Sequence, residues 1–178
     1  MTLTFQPPLS IQQLMDSSGV RFGTSGARGL VTDMSAEVCY AYTAAFLQVI
    51  AAPRGSRVAL GMDLRPSSPD IARACAAAIR DAGLETDFCG ILPTPTLAFH
   101  AQEQGIPAIM VTGSHIPFDR NGIKFYRSTG EITKADEAGI AAAKVALPAE
   151  IRLDALPAAN PLASGLYRNR YLEFFPRN

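Results

Sequence analysis

Between Val111 and Tyr126 the sequence V-T-G-S-H-I-P-F-D-R-N-G-I-K-F-Y gathers a hydroxyl (Ser114), an imidazole (His115) and an amine (Lys124) into one short stretch. A serine oxygen can carry a transferred group, and an adjacent imidazole can brace the loop or move a proton. A lysine can act as acid and base and can neutralise anionic charge. Taken singly, Ser114 reads as a turn or cap serine and Lys124 as a solvated strand-edge lysine. The local charge narrows the ligand class. From Val111 to Arg127 three fixed cations, Arg120, Lys124 and Arg127, stand against the single anion Asp119, in a chain with sixteen basic and sixteen acidic residues. That excess favours an anionic ligand.

Two strands must hold this stretch. Ile106 to Val111 is a short apolar run that reads as a buried strand, and Ile123 to Arg127 reads as another, starting after an Asn121-Gly122 turn signal. The short loop between them forces the second strand to run back beside the first. Upstream, Ser35 caps a helix whose apolar face is Val38, Tyr42, Phe46, Val49 and Ile50. Arg57 to Asp63 is a central strand, and Ser68-Pro69-Asp70 opens a helix that Gly83 ends. Leu84 to Leu92 is a further strand, followed by a helix from Thr94-Pro95 to Gly105. This rhythm predicts an α/β fold: a three-layer α/β/α sandwich on a mixed, mostly parallel four-stranded sheet whose last strand is antiparallel.

The flanking segments are simpler. Leu9 to Asp16 makes a short amphipathic helix that stops at Gly19. Thr133-x-x-Asp136 is a capping box before an Ala-rich helix reaching Leu147. A Pro- and Ala-rich linker runs from Pro148 to Pro161, and Gly165 to Phe175 reads as a helix with aromatic residues to bury. Near the N-terminus, Gly23, Gly26 and Gly29 fall within seven residues, in V-R-F-G-T-S-G-A-R-G-L-V. Such spacing implies a tight loop or a close backbone approach, and it fits neither a Walker A nor a dinucleotide motif.

Thr112-Gly113-Ser114-His115-Ile116-Pro117, with Asn121-Gly122-Ile123-Lys124 after it, resembles the phosphoserine loop of the α-D-phosphohexomutases. Phe22-Gly23-Thr24-Ser25-Gly26-Ala27-Arg28-Gly29 is similar to that family's opening loop. The resemblance implies that Ser114 carries a phosphoryl group, with His115 and Lys124 as its catalytic neighbours and Lys124 as general acid/base. It implies that Arg28 and Ser25 bind substrate, and that Mg²⁺ is held partly through a phosphate oxygen on Ser114. Ile116 stands where the family usually has Asn. The family's metal loop, sugar loop and C-terminal phosphate loop have no counterpart in the sequence. The expected division is therefore residues 1–160 as the family's first domain and 161–178 as a linker and the first helix of a second. The expected partners are a hexose phosphate and the family's remaining, C-terminal domains, and the chain by itself is expected to be inactive.

Composition bounds the alternatives. With 48% hydrophobic and 18% charged residues the chain is globular, and its zero net charge argues against nucleic acid or an anionic membrane as the main partner. Cys39, Cys75 and Cys89 lack C-x-x-C spacing and read as buried free thiols, which with the N-terminal sequence points to a cytoplasmic protein. His100 reads as a surface or core histidine, while Asp63 and Arg65 read as an ion pair with Ser68 as a helix cap. A serine hydrolase is disfavoured because His115, adjacent on an extended loop, would point away from Ser114, and no G-x-S-x-G elbow occurs. A phosphoglucosamine mutase domain and a non-catalytic phosphosugar-binding domain remain open beside a mannose- or glucose-phosphate mutase.

Overall fold

The computed structural model describes residues 5–23 and 26–175. In chain order the elements are β1 (Leu9–Ser10), α1 (Ile11–Ser18), β2 (Arg21–Phe22), β3 (Ala27–Leu30), α2 (Ala36–Val49) and β4 (Arg57–Met62). They continue with α3 (Ser68–Asp81), β5 (Glu85–Ile91), α4 (Thr94–Gln104), β6 (Ala108–Val111) and β7 (Arg120–Arg127). The last are β8 (Gly130–Glu131), α5 (Lys134–Ala142), β9 (Lys144–Val145) and α6 (Leu162–Phe174).

Strand periodicity sends successive side chains to opposite faces of the sheet, and each face meets its own helices. Val58, Leu60, Ile109, Val111, Ile123 and Phe125 pack with α2, α3 and α5 residues such as Phe46, Ile79 and Ile140. Ala59, Ala108, Met110 and Tyr126 face the other way, onto Leu97 and Ala101 of α4 and Ala163 of α6. The result is the expected α/β/α sandwich. All four residues of β6 are buried, as a central strand covered on both faces requires.

The sheet runs in the order β2-β3-β7-β6-β4-β5, with β8 paired to β7. Its inner four strands, β5-β4-β6-β7, match expectation: β4 is parallel to β5 and β6, and β7 is antiparallel to β6. The sheet does not stop there. The glycine-rich stretch forms an antiparallel β2–β3 hairpin that extends the sheet beyond β7, so antiparallel ladders outnumber the two parallel ones. Gly26 makes the turn possible: its φ is 73°, and an added Cβ would collide with the Ile123 carbonyl.

Local sequence sets most boundaries. Ser35 caps α2 by accepting from the Val38 N–H, and Thr133 and Asp136 form the predicted capping box of α5. Gly19 and Gly105 end α1 and α4 in the left-handed conformation. Three expectations shift. Ser67, not Ser68, occupies the cap position of α3. The helix expected to reach Leu147 ends at Ala142, because Lys144 and Val145 leave it to pair with Leu9 and Ser10. The Asn121-Gly122 pair is not a turn but lies inside β7, where Asn121 is opposite Gly29 and Gly122 opposite Arg28. Buried Asn121 takes the role of a side-chain anchor instead, described below.

The connections make a crevice. α3 carries the chain from β4 outward to β5 over one face, and α4 brings it back over the other face to β6 on the far side of β4. Connections that depart to opposite faces leave a gap at the carboxyl ends of the neighbouring strands, here β4 and β6. The residues after those strands are Asp63 and Thr112 to Ser114. Among the described residues no helix is long and apolar enough to cross a membrane.

Candidate active site

Ser114 follows β6 through Thr112 and Gly113, and its backbone is unusual. Its φ is 49°, a left-handed value that a serine adopts only when its surroundings impose it. Those surroundings are visible. The Thr112 hydroxyl accepts from the Ser114 N–H (2.9 Å) and itself donates to Asp63 Oδ2 (3.0 Å). The Gly113 N–H donates to the same carboxylate oxygen (3.0 Å). The chain therefore pivots at Ser114 and leaves its side chain exposed at the mouth of the crevice.

The pivot also sets the histidine. His115 Nδ1 lies 3.3 Å from Ser114 Oγ. The expectation that adjacency would turn His115 away from the serine is thus incorrect: it assumed extended backbone, and the left-handed turn at Ser114 brings the two side chains to one side. This contact does not make a hydrolase triad. Among the described residues no carboxylate orients the His115 ring, and the G-x-S-x-G elbow is missing.

A cleft of about 170 Å³ opens beside Ser114 and is lined by Arg28, His115, Ile116 and Lys124 as well. Arg28 arrives from β3 and Lys124 from β7; both are half-buried. Gly122, opposite Arg28, has no room for a side chain, since a Cβ there would come 2.9 Å from the Ala27 carbonyl and 3.2 Å from that of Thr112. Close strand approach here draws Arg28 and the Ser114 loop towards each other. Among the described residues neither Arg28 nor Lys124 forms an ion pair with a carboxylate, so both charges face the cleft uncompensated. Ser25, expected beside Arg28, lies outside the described residues.

The other cations divide differently from expectation. Arg127 sits at the far end of β7 and donates from Nε and Nη2 to Asp136, which makes it a structural partner of α5 and not a source of field in the cleft. Arg65, read from sequence as the ion-pair partner of Asp63, is 3.6 Å from that carboxylate. Most of its guanidinium goes elsewhere, to the carbonyls of Ile116 (2.6 Å), Pro117 (2.8 Å) and Arg120 (2.9 Å). Ser68 is not a cap; its hydroxyl donates to Asp63 Oδ1 (2.6 Å). Buried Asn121 ties the same corner together by donating to Ser67 Oγ (2.9 Å) and Ser68 Oγ (3.0 Å) while accepting from the Gly122 N–H (2.8 Å). Burial by itself would raise the Asp63 pKa. Hydrogen bonds from Ser68, the Arg65 and Gly113 N–H groups and Thr112 outweigh that effect and hold it below the ordinary carboxylate value. The signal in the sequence was an Asp and an Arg immediately after a central strand, where an α/β sheet opens its crevice.

A Mg²⁺ ion prefers several hard oxygen ligands. Among the described residues the cleft supplies no free carboxylate pair: Asp63 is fully engaged, and only a group on Ser114 could offer oxygens. Asp87, Cys89 and His100 do lie close enough to share an ion. Their thiol and imidazole do not suit Mg²⁺. Asp87 is also committed, accepting from Arg57 (3.3 Å) and Asn160 (2.8 Å) and lying 2.9 Å from His100 Nε2. The described residues do not form a Mg²⁺ site by themselves. His100 proves to be a fully buried core histidine.

Known proteins of one family resemble this chain in sequence and in fold. The profile of the phosphoglucomutase/phosphomannomutase alpha/beta/alpha domain I matches residues 19–146. A phosphomannomutase of Salmonella muenchen is 48% identical over 164 residues, covering 92% of this chain and 34% of the relative. A phosphoglucosamine mutase of Anaeromyxobacter dehalogenans is 34% identical over 113 residues, covering 61% of this chain and 25% of the relative. Among solved structures, a phosphoglucomutase/phosphomannomutase family protein of Burkholderia thailandensis superposes with a TM-score of 0.60 at 30% identity, over 70% of this chain and 29% of that one. A protein of Thermus thermophilus gives a TM-score of 0.69 at 28% identity, over 86% of this chain and 35% of that one. This chain spans about a third of the length of its Salmonella relative. With the domain profile covering most of its sheet and the whole Ser114 cleft, the chain belongs to the phosphoglucomutase/phosphomannomutase family and carries the family's domain I.

Proposed function

We propose that Ser114 is the phosphoryl carrier of a hexose-phosphate mutase and that this chain is the domain that presents it. The observation that carries the reading is an exposed hydroxyl, set on a left-handed turn, sharing one cleft with two cations, Arg28 and Lys124, that no carboxylate pairs among the described residues. Phosphoryl transfer asks a protein mainly for position and charge stabilisation, and this cleft offers both.

The reaction runs in two balanced halves. The P–Oγ bond of phosphorylated Ser114 breaks as a sugar hydroxyl oxygen bonds to phosphorus. The hydroxyl proton passes by way of the acid/base, Lys124, to the leaving Ser114 Oγ, so that the serine hydroxyl is restored. The sugar bisphosphate then turns and gives its other phosphoryl group back to Ser114 Oγ, whose proton passes by way of Lys124 to the freed sugar oxygen. The net change interconverts hexose 1-phosphate and hexose 6-phosphate. Arg28 steadies the phosphate through its planar donor fork, Ser25 serves as a further substrate-binding residue, and His115 braces Ser114 Oγ or relays its proton. A Mg²⁺ ion bound through a phosphate oxygen on Ser114 would neutralise charge there, its other ligands coming from outside the described residues.

Mannose phosphate is the favoured substrate, since similarity is 48% to a phosphomannomutase against 34% to a phosphoglucosamine mutase. Glucose phosphate is the next choice. Residues 1–160 act as domain I and 161–178 lead into a second domain. Turnover needs the further domains that make up the rest of a relative's length, and a reducing cytoplasm suits the three buried thiols. Fusing this chain to the remaining two-thirds of the Salmonella relative tests the reading. The fusion should interconvert mannose 1-phosphate and mannose 6-phosphate, and Ser114→Ala should abolish that. A folded fusion without mutase activity, or an active Ser114→Ala fusion, contradicts it.

A further inference from the structure

The geometry points to Arg65 as a positioning residue of this phosphoryl transfer, one that holds the Ser114 loop in its left-handed turn and does not touch substrate. The inference rests on the reading of Ser114 as the phosphoryl carrier and adds how that serine is aimed.

Arg65 follows β4, while the loop it holds follows β6. Its Nη1 donates to the carbonyls of Pro117 (2.8 Å) and Arg120 (2.9 Å). Its Nη2 donates to that of Ile116 (2.6 Å), with the Ser114 carbonyl at 3.5 Å. One guanidinium thus gathers carbonyls from four loop residues between Ser114 and Arg120. The opposite side of the loop is gripped by Asp63, through Thr112 Oγ1 and the Gly113 N–H. Asp63 also accepts from the Arg65 N–H (3.0 Å), so the two halves of the clamp are joined. The guanidinium lies flat against Gly113, where any Cβ would overlap its Nε and Cζ. That overlap accounts for glycine at a position where φ alone does not demand one.

A planar fork with several donors can span such a ring of carbonyls, and a lysine ammonium cannot. The Arg65 side chain is only 17% exposed and does not line the cleft beside Ser114, so a direct hold on substrate is not its task. The loop it braces contains a strained residue, and strain of that kind persists only when neighbouring contacts over-determine it. Releasing the clamp lets Ser114 relax and misaims Oγ, and displacements near 1 Å cost on the order of 100-fold in rate.

The test uses the fusion of this chain to the remaining two-thirds of the Salmonella relative, with mannose 1,6-bisphosphate as phosphoryl donor. It follows phosphate gain by intact mass and loop opening by amide hydrogen exchange. Arg65→Lys should slow transfer at saturating donor by about 10- to 100-fold while leaving the half-saturating concentration within about twofold. The Gly113 and Ser114 amides should exchange at least about tenfold faster, with β6 and β7 amides unchanged. Methylguanidinium should restore part of the rate to Arg65→Ala. A normal rate in Arg65→Lys, a half-saturating concentration that rises in step with the loss, or unaltered loop exchange would overturn the inference. If the unaltered fusion gains no phosphate, or its Ser114→Ala form gains it equally, the phosphoryl-carrier reading fails instead, and loop exchange alone then decides whether Arg65 braces the loop.

Discussion

Ser114 Oγ and His115 Nδ1 stand 3.3 Å apart although the residues are neighbours in sequence, because Ser114 adopts φ 49°. An imidazole at that distance can hold the hydroxyl or take its proton, depending on tautomer. Replacing His115 with Gln keeps a hydrogen-bonding side chain and removes the imidazole. If His115 only braces Ser114, phosphoryl transfer in His115→Gln should fall by less than about tenfold. If it relays a proton, the loss should reach about 100-fold or more. Single-turnover labelling separates the two.

Lys124 is expected to matter through chemistry more than through stability. It is half-buried on β7, unpaired with any carboxylate among the described residues, and opens onto the cleft. Lys124→Met should cut phosphoryl transfer to Ser114 by about 100-fold or more, while thermal unfolding stays within about 1 kcal/mol of the unaltered chain.

Asn121 should behave in the opposite way. Its buried amide bonds Ser67, Ser68 and the Gly122 N–H, and those serines adjoin the Asp63 corner. Asn121→Ala leaves these buried partners short of a bond and should cost roughly 1–3 kcal/mol, read from denaturant unfolding.

Acid should weaken the hold of Arg127 and Thr133 on α5. The Arg127 hydrogen bonds hold the Asp136 carboxyl well below the usual range, outweighing burial, and the Thr133 bonds add to them. A carboxyl whose folded pKa is depressed contributes stability that is complete above its unfolded value, near ~3.9, and is lost as pH falls through the folded range. Asp136→Asn should therefore cost about 1–2 kcal/mol at neutral pH, from the cap and the ion pair together. The variant should also flatten the fall in stability below about pH 4. Unfolding measured from pH 2 to pH 7 checks both.

The core makes a sharper demand. Phe46 of α2 stacks on Phe125 of β7 with ring centroids 4.8 Å apart, and both are buried. Phe125→Ala should cost about 3–5 kcal/mol. Because β7 also carries Lys124, this variant in the fusion should lose mutase activity through unfolding, with the folded fraction tracking the loss.

The inner architecture was legible because local signals and tertiary structure agree there. Ser35, Gly105 and the Thr133–Asp136 box end or start helices where their chemistry predicts, and the apolar runs of β4 and β6 become central strands. The misreadings came where a local signal was overruled from a distance. Asn121-Gly122 has turn composition, yet pairing with β3 draws it into a strand and burial turns Asn121 into an anchor. Lys144 and Val145 continue an Ala-rich helix in sequence but are claimed by Leu9 and Ser10, over a hundred residues away in the chain. In the site, Ser114, His115 and Lys124 stood out by type, Arg28 entered only through the family resemblance, and the domain match agrees with that family. The bracing by Arg65 did not, since it depends on carbonyls brought together by the loop's own fold, which residue spacing does not encode.

The most direct measurement is where phosphate sits on the chain after exposure to mannose 1,6-bisphosphate. Proteolysis and peptide mass analysis should find one phosphate on the peptide containing Ser114 and none on the corresponding Ser114→Ala peptide. Phosphate on any other residue at comparable yield, or a Ser114 peptide that stays unmodified while the donor is consumed, would contradict the account.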